Sequence, residues 1–168
     1  MSLTIYQTSV PVFQQILGAL SGILTKAAAH AETKKIDPSV FITARLSPDM
    51  FPLSRQVQIA TDHAKGACAR LAGVEIPSYP DTETTFAELQ TRITKTLDFI
   101  KNLKPAQFDG AETREVKLKI GGNELTFTGQ KYLFHGAFPN FFFHATTAYN
   151  ILRHNGVDVG KRDFIGSF

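Results

Sequence analysis

The chain has 168 residues, 43% of them hydrophobic and 20% charged. That fits one globular domain over residues 1–168 and excludes an unstructured chain or one too small to bury a core. Its single cysteine, Cys68, excludes an internal disulfide framework, and its net charge of +3 comes from scattered lysines, densest at Lys117 and Lys119 beside Arg114, which argues against a nucleic-acid partner. No apolar run approaches the roughly 20 residues that span a bilayer. Met1 to Val10 carries no signal-peptide pattern, so a cytoplasmic location with no membrane attachment is expected.

Phe13, Ile16, Leu17, Leu20, Ile23, Leu24 and Ala27 recur at three- and four-residue steps and predict a first long helix with one broad apolar face. Pro11 falls in an early turn and either starts that helix or bends it. Ile36 to Phe51 reads as a connector, with turn or cap signals at Asp37-Pro38 and Ser47-Pro48-Asp49 and room for a short helix between them. Pro52 opens a second long helix. Its stripe is Leu53, Val57, Ala60, Ala64, Ala67, Cys68 and Leu71, and Gly73 is its stop signal. So many alanines let a neighbouring helix approach closely. Cys68 lies within the stripe and reads as a small buried hydrophobe.

A third helix begins at a capping box, Thr85 with Glu88, buries Phe86, Leu89, Ile93, Leu97, Ile100 and Leu103, and ends at Pro105. The period then changes to two. Val116, Leu118 and Ile120 alternate with lysines, and Leu125 and Phe127 alternate with polar residues across Gly121-Gly122-Asn123, the signature of a β-hairpin. A fourth helix is expected from about Phe138 to His154, with Phe138, Phe141, Phe142, Ala145, Ala148, Tyr149 and Leu152 on its buried face. The tail from Val157 to Phe168 still holds Phe164 and Ile165 and is expected to dock back on the domain. The sum is a mainly all-α protein, a four-helix bundle with a small β-hairpin inserted between helices three and four.

The chain has no HExxH, no paired cysteines, no phosphate-binding glycine loop and no G-x-S-x-G elbow. Its candidate chemistry rests on histidines. His63 stands on the shoulder of the second helix's buried stripe and His144 on that of the fourth, so the two can converge on one cleft. Asn140, one turn before His144, projects from the same side. Two readings stay open. In one, His63 and His144 are imidazole ligands of a metal ion between helices. In the other, each is a partly buried histidine satisfied by a hydrogen bond. Tyr149 is a candidate hydroxyl for the same cleft, or a core tyrosine. His30 and His154 read as solvated residues near helix ends. His135 reads as a loop residue at the open end of the bundle.

Further strings carry a resemblance. Asp49-Met50-Phe51-Pro52-Leu53, Gln56 to Ala60, Asp62-His63-Ala64-Lys65-Gly66, Pro139-Asn140-Phe141, His144 with Thr146 to Tyr149, Leu152 to Gly156, and Gly160 to Phe164 together resemble an uncharacterised bacterial and fungal domain family. That family is placed among the DinB-like, YfiT-type helical bundles, and the resemblance covers nearly the whole chain. It implies a four-helix bundle, often a homodimer. Many relatives are read as metalloenzymes, some as thiol-dependent transferases. Their usual triad is one histidine on the second helix and two, four residues apart, on a later one. His63 matches the first position and His144 one of the pair, while Asn140 and Ala148 stand where the partner would be. The triad is incomplete, and an asparagine oxygen is a poor ligand for zinc or nickel.

Three functions follow as expectations. A metal-assisted hydrolase or thiol transferase would use His63 and His144 with a third ligand from Asn140, Asp62 or His135. A metal-free module would bind a small molecule with His63, Asn140, His144 and Tyr149. An interaction protein would act as a homodimer through the apolar faces of helices one and four.

Overall fold

The computed structural model describes residues 3–167; Met1, Ser2, Phe168 and the side chain of Ile120, which belong to the stretches read above, lie outside the described residues. Helix α1, Ile5–Lys34, is capped by Thr4, whose side chain accepts from Gln7 N–H while Gln7 reaches back. It therefore begins before Pro11 and runs on through it. The connector holds the short helix α2, Pro38–Ile42, capped by Asp37. Helix α3, Leu53–Ala72, ends at Gly73, whose φ of +68° lets the chain turn back on the last carbonyls. Helix α4, Phe86–Asn102, starts at the expected Thr85–Glu88 capping box. A 3-10 turn, Pro105–Phe108, leads into β1, Glu115–Ile120, and β2, Asn123–Thr128. The strands pair antiparallel, with Val116 opposite Phe127 and Leu118 opposite Leu125, and Gly121 and Gly122 supply the positive φ of the turn.

The fourth long helix corrects one expectation. It starts directly after the hairpin as α5, Gly129–Tyr132, continues through a π-helical turn, Leu133–Ala137, and becomes α6, Phe138–His154. His135 is therefore helical and not in a loop. Gly136 and Pro139 mimic a helix boundary in the sequence. Pro139 has no N–H for the carbonyl one turn back, and the helix absorbs that defect by widening the turn before it. The tail folds as α7, Lys161–Ile165, against α1, where Gln15 Nε2 donates to the Ile165 carbonyl at 2.9 Å and Lys26 pairs with Asp163 at 2.7 Å.

The four long helices pack around one core. Ala60, Ala64 and Ala67 of α3 and Ala145 and Ala148 of α6 are fully buried, so these two helices lie close together. Phe13 of α1 meets Phe141 edge to face at 4.9 Å. Phe143, in contrast, points outward. Gly18 and Gly22 of α1 are exposed and have open space where a Cβ would stand. Gly22→Ala is therefore expected to stabilise the protein by about 0.8 kcal/mol, read from chemical denaturation.

Candidate functional site

The fold brings His63 and His144 together. Their rings are stacked, with centroids 5.9 Å apart and planes within 14°. The pairing follows from the close approach of α3 and α6, which leaves the shoulder positions of both helices facing each other. His63 sits in the middle of a polar stripe, since Gln56 and Arg70 lie seven residues to either side and a seven-residue step nearly restores the same helix face.

Gln56 is buried and fixes the state of His144. Its amide nitrogen donates to the Phe51 carbonyl at 3.0 Å, so its oxygen is left to accept from His144 Nδ1–H at 2.7 Å. The hydrogen-bond network thus assigns the proton to Nδ1 and leaves the Nε2 lone pair free. Burial pushes the His144 imidazolium down to about 4, and the neighbouring His63 and Arg55 push in the same direction. Burial also lowers His63, with the Asp62 carboxylate opposing it and Arg70 adding to it. Both rings are neutral at pH 7.

His144 takes up its proton less readily folded than at its ordinary value of 6.5, so its burial favours folding above that value. The contribution is lost as pH falls from 6.5 through about 4. Proton NMR should show the His144 ring neutral at pH 5.5. The fall in melting temperature between pH 6.5 and 4 should be shallower in His144→Gln.

Beside the pair opens a cleft of about 440 Å³. One wall is α3, with His63 and Arg70. Another is the hairpin, with Leu118 and Phe127 on its inner face and Lys119 at the rim. The third is the widened part of the fourth helix, with Lys131, Tyr132, His135 and Asn140. Asn140 lines the cleft and donates through Nδ2 to the Gly136 carbonyl at 2.8 Å, which meets an acceptor inside the π turn.

The other candidates fall elsewhere. Asp62 turns away from His63: its Oδ1 accepts from Arg92 and from Lys65, both at 2.8 Å, within an ionic network that ties α3 to α4. Tyr149 packs its ring on Phe164 at 5.8 Å and does not line the cleft, because five residues beyond His144 is some 140° around the helix. Cys68 is fully buried, and burial pushes its thiol up, away from reactivity. His30 is half-buried with its ring against Phe41 at 5.9 Å, and His154 is exposed. Gln56, Arg70, Lys131 and Tyr132 were not among the sequence candidates. The seven-residue spacing of Gln56, His63 and Arg70 was the available signal for two of them. Lys131 and Tyr132 had none, standing in a segment that reads as a turn.

The donors present do not make the three-ligand set that a zinc site requires. Among the described residues no three His, Cys, Asp or Glu side chains converge. The nearly parallel His63 and His144 rings, 5.9 Å apart, supply two imidazole donors and no third. Ala148, at the remaining triad position, is buried and offers no donor.

A family model described as a domain of unknown function (DUF1993) matches residues 5–165. A crystal structure of a DinB family member protein from Shewanella denitrificans is similar, at 43% identity and a TM-score of 0.89, over 98% of this chain and 93% of that one. No curated protein matches the chain. Matched along nearly its whole length, the chain belongs to the DUF1993 family, and its fold is DinB-like.

Proposed function

We propose that this protein binds a small organic molecule without a metal ion, in the cleft between α3, the hairpin and the fourth helix. The carrying observation is the arrangement of that cleft. It is a concavity of about 440 Å³, within the range of small-molecule sites, with an apolar hairpin face opposite a few placed polar groups. His63 and Asn140 supply neutral polar atoms, and the Gln56–His144 bond holds the pair rigid from behind. Function then depends on recognition, with His144 backing His63. A thermal-shift screen against a metabolite panel tests this. Ligands should raise the melting temperature of the wild type, and His63→Ala and Asn140→Ala should each reduce that shift. Shifts that persist unchanged in both variants would place binding elsewhere.

The metal-dependent alternative has one observation in its favour. A neutral His144 held through Nδ1 by a fixed acceptor is how a ligating histidine is commonly oriented. Equilibrium dialysis against zinc and nickel decides it. One tightly bound ion per chain, lost in His63→Ala, would replace the metal-free reading.

The homodimer expectation is carried by exposed aromatic surface. Phe143 is 56% and Phe51 53% exposed; the Phe143 ring lies against His144 at 5.2 Å, and the Phe51 carbonyl accepts from Gln56. Light scattering should give twice the chain mass, and Phe143→Ser should shift it toward the monomer. A wild type that stays monomeric at every concentration removes the dimer.

A further inference from the structure

We infer that the cleft is built for an amphipathic carboxylate: Arg70 takes the carboxylate head, and the inner face of the hairpin covers an apolar or aromatic body. This names the ligand class of the proposed site and rests on that small-molecule reading.

Charge is the first observation. The cleft carries Arg70, Lys119 and Lys131, and no aspartate or glutamate lines it. Several cations elsewhere are paired: Lys26 with Asp163, Lys65 and Arg92 with Asp62, Arg55 with Asp81. Among the described residues no carboxylate lies within 4.0 Å of Arg70, Lys119 or Lys131. Three cations without a carboxylate in reach thus line one concavity.

Arg70 is the second. It is half-buried, and its recorded side-chain hydrogen bond is Nη1–H to the Tyr132 hydroxyl at 3.1 Å, with the Tyr132 ring 5.7 Å from the guanidinium carbon. Gly66, one turn earlier, makes room for the group: a Cβ there would lie 2.7 Å from Nη1. A guanidinium has been aimed and partly desolvated with no anion to balance it. That is costly alone and favourable once a carboxylate arrives, because the planar fork can meet both carboxylate oxygens with its remaining N–H groups.

The apolar face is the third. Leu118 and Phe127 lie on the same side of the hairpin, since Val116 pairs with Phe127 and side chains alternate along a strand. Both line the cleft, and Lys131 Nζ stands 6.0 Å from the Phe127 ring, so cation and apolar wall are adjacent. Burial holds the His63 imidazole below its ordinary value, and Arg70 and the two lysines are the permanent charges of the cleft.

Calorimetry with 4-phenylbutyrate and 4-phenylbutyramide on the intact chain tests this. The acid should bind at least tenfold more tightly than the amide. Arg70→Gln should lose at least tenfold for the acid and little for the amide. Phe127→Ala should weaken both. Lys131→Gln changes an exposed side chain, so it keeps the test decisive if Arg70→Gln fails to fold, and about a threefold loss for the acid alone is expected. An amide that binds as well as the acid, wild-type affinity for the acid in a folded Arg70→Gln, or, where Arg70→Gln fails to fold, wild-type affinity for the acid in Lys131→Gln, overturns the inference. Tighter binding of phenyl phosphate than of the acid overturns the carboxylate assignment. If neutral compounds still give His63-dependent thermal shifts, the binding cleft survives and only its ligand class falls. If no compound of any charge shifts the protein, both fall together.

Discussion

Arg92→Met is expected to destabilise the protein by about 3 kcal/mol, lowering the melting temperature by roughly 10 °C. The Arg92 side chain is 1% exposed, yet it is the hub of the ionic network between α3, α4 and the loop that joins them. Its Nε–H donates to Thr61 Oγ1 at 2.8 Å, and its Nη groups reach the Pro80 carbonyl, Glu83, Asp62 and Asp81 between 2.8 and 3.0 Å. Methionine keeps much of the apolar stem and removes every one of those donors. Loss of one partner from a buried ion pair costs about 3–5 kcal/mol because the other charge is stranded. Asp62 and Asp81 are about a third exposed and can recover water, which sets the estimate at the low end. The effect should also reach the cleft. With Arg92 gone, Asp62 is neutralised by Lys65 alone, so its field on His63 strengthens. The His63 imidazolium should then titrate at higher pH in the variant, an NMR observable that loss of stability alone would not produce. An unchanged His63 titration would mean that Asp62 does not govern it.

Gly129→Ala is expected to cost a similar amount, about 3 kcal/mol, and to abolish ligand binding in the cleft. Gly129 is buried where β2 becomes α5. A Cβ there would stand 1.9 Å from the Ala111 carbonyl oxygen and 3.0 Å from Leu71 Cδ2. The first of these atoms is backbone in a fully buried residue, so no rotamer change relieves the overlap. The hairpin must move relative to α3, and with it Leu118 and Phe127, one wall of the site. Gly136→Ala is the control for stability: its Cβ would meet Tyr132 at 3.5 Å, an ordinary contact, and stability should be close to wild type. Denaturation curves on both variants, with calorimetry on Gly129→Ala, check the pair. Full binding by Gly129→Ala would show that the hairpin wall takes no part.

The long amphipathic helices are legible because three- and four-residue apolar spacing has no other common meaning, and α1, α3 and α4 all follow it. The Thr85–Glu88 box and the Gly121-Gly122 turn mark their boundaries through chemistry that few other conformations need. The upper half of the fourth helix was hidden for the opposite reason. A π turn has no sequence period of its own, and Gly136 with Pro139 imitates a stop. The helical setting of His135 was misjudged with that turn, and Lys131 and Tyr132, on the short helix that leads into it, were missed at the cleft. The His63–His144 pair was legible, since each ring sits on the edge of a strong apolar stripe and such edges meet when helices pack. Asp62 could not be placed without α4, because its direction is decided by Arg92, thirty residues further along. Tyr149 was drawn toward the cleft by its nearness in sequence to His144, which the turn of the helix cancels.

The docking of α7 on α1 bears on how the protein is made. Gln15 and Ile165, hydrogen-bonded to one another, are 150 residues apart in the chain. Helix α1 is rich in buried apolar residues and is made before α4, α6 and α7, which cover it. Its sticky side therefore waits, uncovered, through most of translation, and closure is slow because such distant segments must find each other. A nascent chain stalled before Lys161 should hold chaperones longer than one in which α7 has emerged.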